Sequence, residues 1–292
     1  MKYILVSAAR NEEKFIEKTL LSVVEQTVLP QRWVIVSDGS TDRTDEIVEA
    51  YAKENDFIEL LRASQDVARN FGSKAKAIQA GLERLKDVPA DFIGNLDADV
   101  SFPPDYYENM FFQFEKNPKL GLVGGVRQDF CDGKFIEVKV SRNSVGGPFQ
   151  FFRRECFEKI GGYLPLEYGG VDAAAEMMTR MYGWEVESFP EFLVHHHRCT
   201  GSANRTVWDR RFRAGVRDYL LGYHPLFQIF RAFSRALNKP YILGSLVWMW
   251  GYIWTALKRF ERPVPDNFVD FIRAEQVERM KTAVSKKAHK SI

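Results

Sequence analysis

The sequence predicts an α/β domain built on a doubly wound, mostly parallel sheet flanked by helices, followed by a helical extension of different surface chemistry. Three observations carry this. Short apolar runs alternate with helical patterns through the first hundred residues, and each of several such runs ends in a polar, turn-forming cluster. Charge also divides between the two parts: residues 205–292 hold 17 Lys and Arg against 7 Asp and Glu (net +10), whereas residues 1–204 hold 24 against 32 (net −8). A composition of 45% hydrophobic and 27% charged residues over 292 positions excludes disordered and collagen-like classes.

Lys2 to Ser7 is apolar and β-branched enough for a first, buried strand, and a helical pattern opens at Asn11-Glu12-Glu13 and runs through Ile16, Leu20, Leu21 and Val24. Trp33 to Ser37 is a second strand, followed by the turn and cap cluster Asp38-Gly39-Ser40-Thr41-Asp42 and a helix from about Thr44 to Lys53. Phe57 to Leu61 reads as a third strand, Ser73 to Leu85 as a third helix, and Phe92 to Leu96 as a fourth strand ending at Asp97-Ala98-Asp99. In open sheets of this kind ligands bind beyond the carboxyl ends of the strands, where Ala8 to Asn11, Asp38 to Asp42 and Asp97 to Asp99 all fall.

No Gly-x-Gly-x-x-Gly follows the first strand and no Gly-x-x-x-x-Gly-Lys-Ser/Thr occurs, so the dinucleotide and P-loop readings lose their main support. Asp97 and Asp99, two residues apart, leave a strand on one side and can present oxygens to a hard divalent cation, Mg²⁺ or Mn²⁺, bridging to a diphosphate. Taken alone, Asp-Ala-Asp reads more readily as a solvated strand-to-loop turn, and its context has to carry the cation reading. Three cysteines, Cys131, Cys156 and Cys199, are too few and scattered for a disulfide scaffold, which makes a reducing compartment the default expectation. The short apolar run at the amino terminus breaks at once into charge, so it reads as a strand and not as a signal peptide.

The strand ending in Ser37-Asp38-Gly39-Ser40-Thr41-Asp42, followed some 55 residues later by one ending in Asp97-Ala98-Asp99, resembles the family 2 glycosyltransferases with a GT-A fold, over roughly residues 2 to 205. The likeness begins with Ala9, Arg10, Asn11 and Glu12, similar to that family's first-strand loop, and it implies that Asp38 contacts the base or ribose of a nucleotide-sugar. Ser73-Lys74-Ala75-Lys76-Ala77 with Gly81 looks like the family's helix start where a cation, here Lys74, faces the diphosphate. Gly146, Gly147 and Pro148 resemble its acceptor-side loop. Asp172 fits its catalytic base, with Val171 where Glu is expected, while counting back from Arg180 points to Ala174 and leaves Glu176 as a second candidate. His195-His196-His197-Arg198 resembles a strand end bearing a histidine near the metal. Alternation puts His196 on one face and His195 and His197 on the other, so His196 or His197 is the expected ligand and Arg198 a diphosphate partner.

The resemblance thus implies an inverting transfer of a sugar to a glycan or polyprenyl-linked acceptor, with a donor half over residues 1–100 and an acceptor half over 101–204. Beyond 205 lie a basic amphipathic helix through Trp208 to Tyr223, a second stretch from Leu226 to Leu237 ended by Pro240, an uncharged run Tyr241 to Leu257, and a last helix Asp266 to Ala283. Cations interleaved with aromatics suit an anionic membrane surface and not nucleic acid. The expected location is cytoplasmic and peripheral on the inner face of a membrane, with a single span or a soluble core helix as alternatives for 241–257. Two other functions stay open. One is a nucleotidyltransferase acting on sugar phosphates, which would want glycines after the first strand; the other is a non-catalytic nucleotide-sugar-binding membrane scaffold.

Overall fold

A computed structural model describes residues 1–63, 71–199, 206–235 and 241–289, the side chains of 71, 72 and 284–289 excepted. The chain forms two compact units, Met1–Glu167 with Val171–Ser202, and Tyr168–Gly170 with Ala203–Ile292. The first unit carries a nine-stranded sheet. Its first four strands in sequence with α/β connections are β1 (Tyr3–Ala9), β2 (Arg32–Ser37), β3 (Ile58–Arg62) and β4 (Phe92–Leu96), joined through α1 (Ile16–Val24), α2 (Thr44–Glu54) and α3 (Phe71–Arg84). There follow β5 (Val100–Ser101), α4 (Tyr106–Lys116), β6 (Leu120–Cys131), β7 (Lys134–Glu137), β8 (Phe149–Arg153), α5 (Arg154–Lys159), α6 (Val171–Met181) and β9 (Glu185–His196).

The strand order is β3-β2-β1-β4-β8-β6-β9-β5, with β7 on β6. The half of the sheet formed by β3-β2-β1-β4 is parallel throughout, as the alternating elements require. Beyond β4 the sheet turns mixed: β8 runs antiparallel to β4 and β6, while β6 and β9 run parallel. Parallel pairing puts the carboxyl ends of β1, β2 and β4 side by side. Beneath them Phe151 of β8 meets Tyr3, Phe92, Tyr107, Phe111 and Phe114 at ring-centroid distances of 5.1 to 5.9 Å, a buried aromatic block between sheet and α4. Gly81 lets α3 lie directly on this sheet, since a Cβ there would stand 2.5 Å from Val6 Cγ2 and 3.0 Å from Val36 Cγ2.

Cys131, at the end of β6, is joined to Cys199, three residues past β9, with 4.9 Å between Cα atoms. One disulfide thus joins two of the three cysteines that are too few and scattered in sequence for a disulfide scaffold. Bonding needs partners close in space, and the β6–β9 pairing supplies a proximity that 68 residues of sequence hide. The remaining thiol, Cys156, is buried and pushed up to about 11 by that burial.

The second unit holds α7 (Val207–Leu220), α8 (Pro225–Ser234), α9 (Tyr241–Leu257) and α10 (Asp266–His289). Thr206 caps α7 by accepting from Asp209 N at 3.2 Å, and Pro225 occupies the first turn of α8, where its missing N–H costs nothing. Helices α7 and α9 touch backbone to backbone: a Cβ on Gly215 would fall 2.0 Å from Trp248 O, and one on Gly251 would fall 2.1 Å from Phe212 O. Among the described residues no helix is long and apolar enough to cross a membrane, so the single-span alternative for 241–257 finds no support. The expected end of the second stretch at Leu237 and Pro240, and the expected boundary at 204–205, lie outside the described residues.

Candidate active site

Three strand ends build one side of the site. Ala9 closes β1, and its carbonyl accepts from Asp38 N at 2.9 Å, which locks the two loops together. Asn11 sits at φ +56, a left-handed position that asparagine tolerates, and its Oδ1 accepts from Thr41 N at 2.8 Å. Glu12 N donates to Thr44 Oγ1 at 2.7 Å, and Arg10 reaches Asp38 at 3.4 Å. The expected Asn-Glu and Asp-Gly-Ser loops are thus one cross-bonded surface.

At the end of β4, Lys74 Nζ meets Asp97 Oδ1 at 2.5 Å. Ala98 is buried and lets its two acidic neighbours turn to one side. Asp99 faces His196 Nε2 at 3.2 Å and also contacts Arg198, which in turn contacts Glu12. Burial raises the Asp97 carboxyl, with Asp99 adding to it and Lys74 opposing, while Asp99 is held low against its own burial by His196 and Arg198. The two acids are driven in opposite directions by their surroundings. Burial lowers the Lys74 ammonium, but Asp97, Asp99 and Asp172 more than reverse it, so Lys74 stays charged. Glu12 is pushed up to about 7, by burial first and by Asp99 and Asp97 as well, against the pull of Arg198.

The histidine run divides as alternation demands. His196 points to Asp99, and its Nδ1 meets Asp129 Oδ1 at 2.9 Å, with Arg127 Nε on the same oxygen at 2.9 Å. Burial lowers this imidazole, and Asp99 and Asp129 together raise it above its ordinary value. His197 is corrected as a ligand: its Nε2 meets Ser101 Oγ at 2.8 Å on the other face, and burial drives it down to about 4. His195, on that same face, stacks on Phe135 at 4.3 Å. Asp129 was missed by sequence reasoning because no local motif marks it. Only the register of β6 on β9, which pairs Asp129 with His196, brings it to the site.

A divalent cation fits these groups. Among the described residues Asp99 Oδ1 is buried without a hydrogen-bond partner, beside a second carboxylate and an imidazole nitrogen. No three acidic, His or Cys side chains among the described residues form a ready-made metal cage, so the protein offers a partial donor set of the sort that phosphate oxygens and water complete.

The other side of the site is α6 and the loop before β8. Gly147 presses on Asp172 so closely that a Cβ would lie 2.5 Å from Asp172 Oδ2, and Gly147 O accepts from Asn95 Nδ2 at 3.0 Å. The adjacent Pro148 O accepts from Asp97 N at 2.8 Å. Gly146, its own carbonyl toward Phe149 N at 3.4 Å, starts this turn. Asp172 lies in the first turn of α6, which begins at Val171. There the aligned peptide dipoles favour its negative charge. Ala174 is fully buried and carries no polar group to the site. Glu176 is buried and bonded on both oxygens, to Ser144 Oγ at 2.8 Å and Val145 N at 3.2 Å on one, and to Arg180 at 2.7 Å on the other. Its carboxylate anchors the start of the Gly146–Pro148 loop, which speaks against its use as a base.

The site thus sets an acid pair at a strand end and the Asp172 carboxylate on the two sides of a glycine turn. A model of the glycosyl transferase family 2 matches residues 5–164, and the chain belongs to that family. It is similar to poly-beta-1,6-N-acetyl-D-glucosamine synthases, 35% identical to that of Staphylococcus aureus over 202 residues and 27% identical to that of Staphylococcus epidermidis over 205 residues. These matches cover 63% and 64% of this chain but only 47% of either synthase, so the chain spans about half their length. Among solved structures, S. aureus TarS in complex with UDP-GlcNAc superposes with a TM-score of 0.62 at 17% identity, covering 97% of this chain and 92% of that one. The mannosyltransferase PcManGT from Pyrobaculum calidifontis, in complex with GDP-Man and Mn²⁺, gives 0.57 at 19% identity over 88% of this chain and 73% of that one. These likenesses establish the GT-A fold.

Proposed function

We propose that this chain transfers a sugar, with inversion, from a nucleoside diphosphate donor to a hydroxyl of a glycan or polyprenyl-linked acceptor. One observation carries the reading: the Gly147-Pro148 turn touches the Asp172 side chain with one residue and accepts from the Asp97 backbone N–H with the next, so one turn ties the base to the strand end that carries the diphosphate-side acids. In the displacement the acceptor oxygen bonds to the anomeric carbon as the bond from that carbon to the diphosphate oxygen breaks. The electron pair leaves with the diphosphate, and the hydroxyl proton passes to Asp172. Lys74 and Arg198 bring positive charge to the leaving group, and the Arg10, Asn11 and Asp38 surface receives the nucleoside. Mn²⁺ or Mg²⁺ held by Asp97, Asp99 and His196 would neutralise charge developing on the diphosphate.

UDP-N-acetylglucosamine is the first donor to test, supported by the names of the synthases. The place of action we propose is the cytoplasmic face of a membrane, where a soluble donor meets a lipid-linked acceptor. The experiment incubates the chain with UDP-, GDP- and dTDP-sugars and Mn²⁺ and follows the products. Release of nucleoside diphosphate supports the reading, pyrophosphate formation would indicate nucleotidyl transfer, and binding without turnover would indicate a scaffold. Asp172→Asn is expected to lower turnover by about 10²–10⁴-fold with donor affinity unchanged. Glu176→Gln is expected to lower thermal stability by roughly 1–3 kcal/mol, because buried donors at Ser144 and Val145 lose a charged partner.

A further inference from the structure

Helices α8 and α9 leave much of their apolar surface uncovered. The positions α9 turns inward are Gly244, Ser245, Trp248, Gly251, Tyr252 and Thr255, while Ile242, Leu246, Trp250, Ile253 and Leu257 stand exposed at steps of three and four. Such steps trace one face of a helix. On α8 the buried residues are Gln228 and Ala232, and Leu226, Ile229, Phe230 and Phe233 face out. Of the 22 large apolar side chains exposed among the described residues, 11 belong to these two helices, which pack on each other. Contiguous apolar surface on this scale marks a docking face.

Charge says what docks. From Tyr219 through Phe260 the sequence has no Asp or Glu and five Lys or Arg. Lys258 and Arg259, both exposed, follow directly on the α9 stripe, and Arg235 follows α8. Burial and the charges of Arg231, Arg211 and Arg217 lower the Arg235 guanidinium, against the buried Asp218, so the field at the end of α8 is positive. An apolar stripe bordered by Arg235, Lys258 and Arg259, cations that outnumber the one exposed acid near them in sequence, Glu261, complements a surface that is negative outside and hydrocarbon inside.

We infer that the exposed faces of α8 and α9 form an interfacial docking surface for an anionic lipid bilayer, with Leu246 and Trp250 entering the headgroup boundary and Arg235, Lys258 and Arg259 meeting lipid phosphates. A 17-residue helix with one face against its own protein lies on a bilayer and does not span it. The inference deepens the glycosyl-transfer reading by supplying the surface on which a lipid-linked acceptor is met, and its failure would leave the donor chemistry standing.

The test sediments the full chain with vesicles of phosphatidylcholine, with and without phosphatidylglycerol, alongside size-exclusion light scattering and a nucleotide-release assay in detergent-free buffer. The wild type is expected to pellet with phosphatidylglycerol vesicles and to be released by salt. Leu246→Glu combined with Trp250→Glu, at exposed positions, should abolish pelleting while thermal stability and nucleotide release stay at wild-type values. Lys258→Gln should weaken binding by about fivefold, the loss of one cation at such a surface. Should the double variant fold poorly, the lipid and salt dependence of the wild type decides alone. Indifference to both vesicles, equal binding to both, or a dimer that the double variant splits without any vesicle binding would each overturn the inference.

Discussion

Asp99 and His196 face each other at 3.2 Å, and Asp129 holds the far nitrogen of the same ring at 2.9 Å. The Nδ1 contact with Asp129 holds the ring in place, so that Nε2, which faces Asp99, would serve a cation bound at that carboxylate when it carries no proton. Asp129→Asn is therefore expected to weaken Mn²⁺ affinity by about 10–100-fold in calorimetric titration, with little change in fold. Glu12 makes a prediction of opposite character. Pushed up to about 7 from 4.5, it keeps a proton in the folded state across a window where the unfolded chain has released one. Its contribution to stability is then full below 4.5 and is lost as pH rises through about 7. In chelator, the thermal midpoint should decline across this window, and Glu12→Gln should flatten the decline. At this scale the motifs were legible because they are local: Asp97, Asp99, Asp38 and Asn11 each lie just beyond the end of a strand. Asp129 and the bonded role of Glu176 were not, since each depends on a partner 31 to 67 residues away.

At the scale of elements, β4 at Phe92–Leu96 and α9 at Tyr241–Leu257 coincide with their sequence-based bounds. Asp91 and Asp97 flank the first, Pro240 and the charged pair Lys258-Arg259 the second, and neither segment contains a charge. By contrast β6 could not be read, because its glycines break the strand pattern. Gly125 is there for close approach: a Cβ would fall 2.1 Å from Phe192 O of β9. The same tightness lets Gly81 and Gly251 be compared as probes. Gly81→Ala would push α3, and Lys74 with it, off Val6, whereas Gly251→Ala would drive α9 off the α7 backbone. Each is expected to cost about 1–3 kcal/mol, read from denaturant midpoints, and only Gly81→Ala should also weaken donor binding.

For the whole molecule, charge composition separated a negative catalytic unit from a positive helical one before any coordinates, since net charge needs no long-range pairing to be counted. The Cys131–Cys199 bond was invisible to the same reasoning and ties the segment after Arg198 to the end of β6. Closing 68 residues of chain in this way removes conformations from the unfolded state, an effect of about 4 kcal/mol in chain-entropy terms. It also bears on location: in a reducing cytosol both sulfurs would be thiols, and the anchoring of Arg198 would rest on Asp99, Glu12 and the Phe15 ring beneath it.

The decisive measurement is a crystal structure of this chain with Mn²⁺ and UDP-N-acetylglucosamine. The diphosphate is expected against Lys74, Arg198 and a cation on Asp99 and His196, with the anomeric carbon facing the Asp172 carboxylate across room for one acceptor hydroxyl. A donor seated away from the β4 end, or one whose anomeric carbon turns its back on Asp172, would contradict the proposed chemistry.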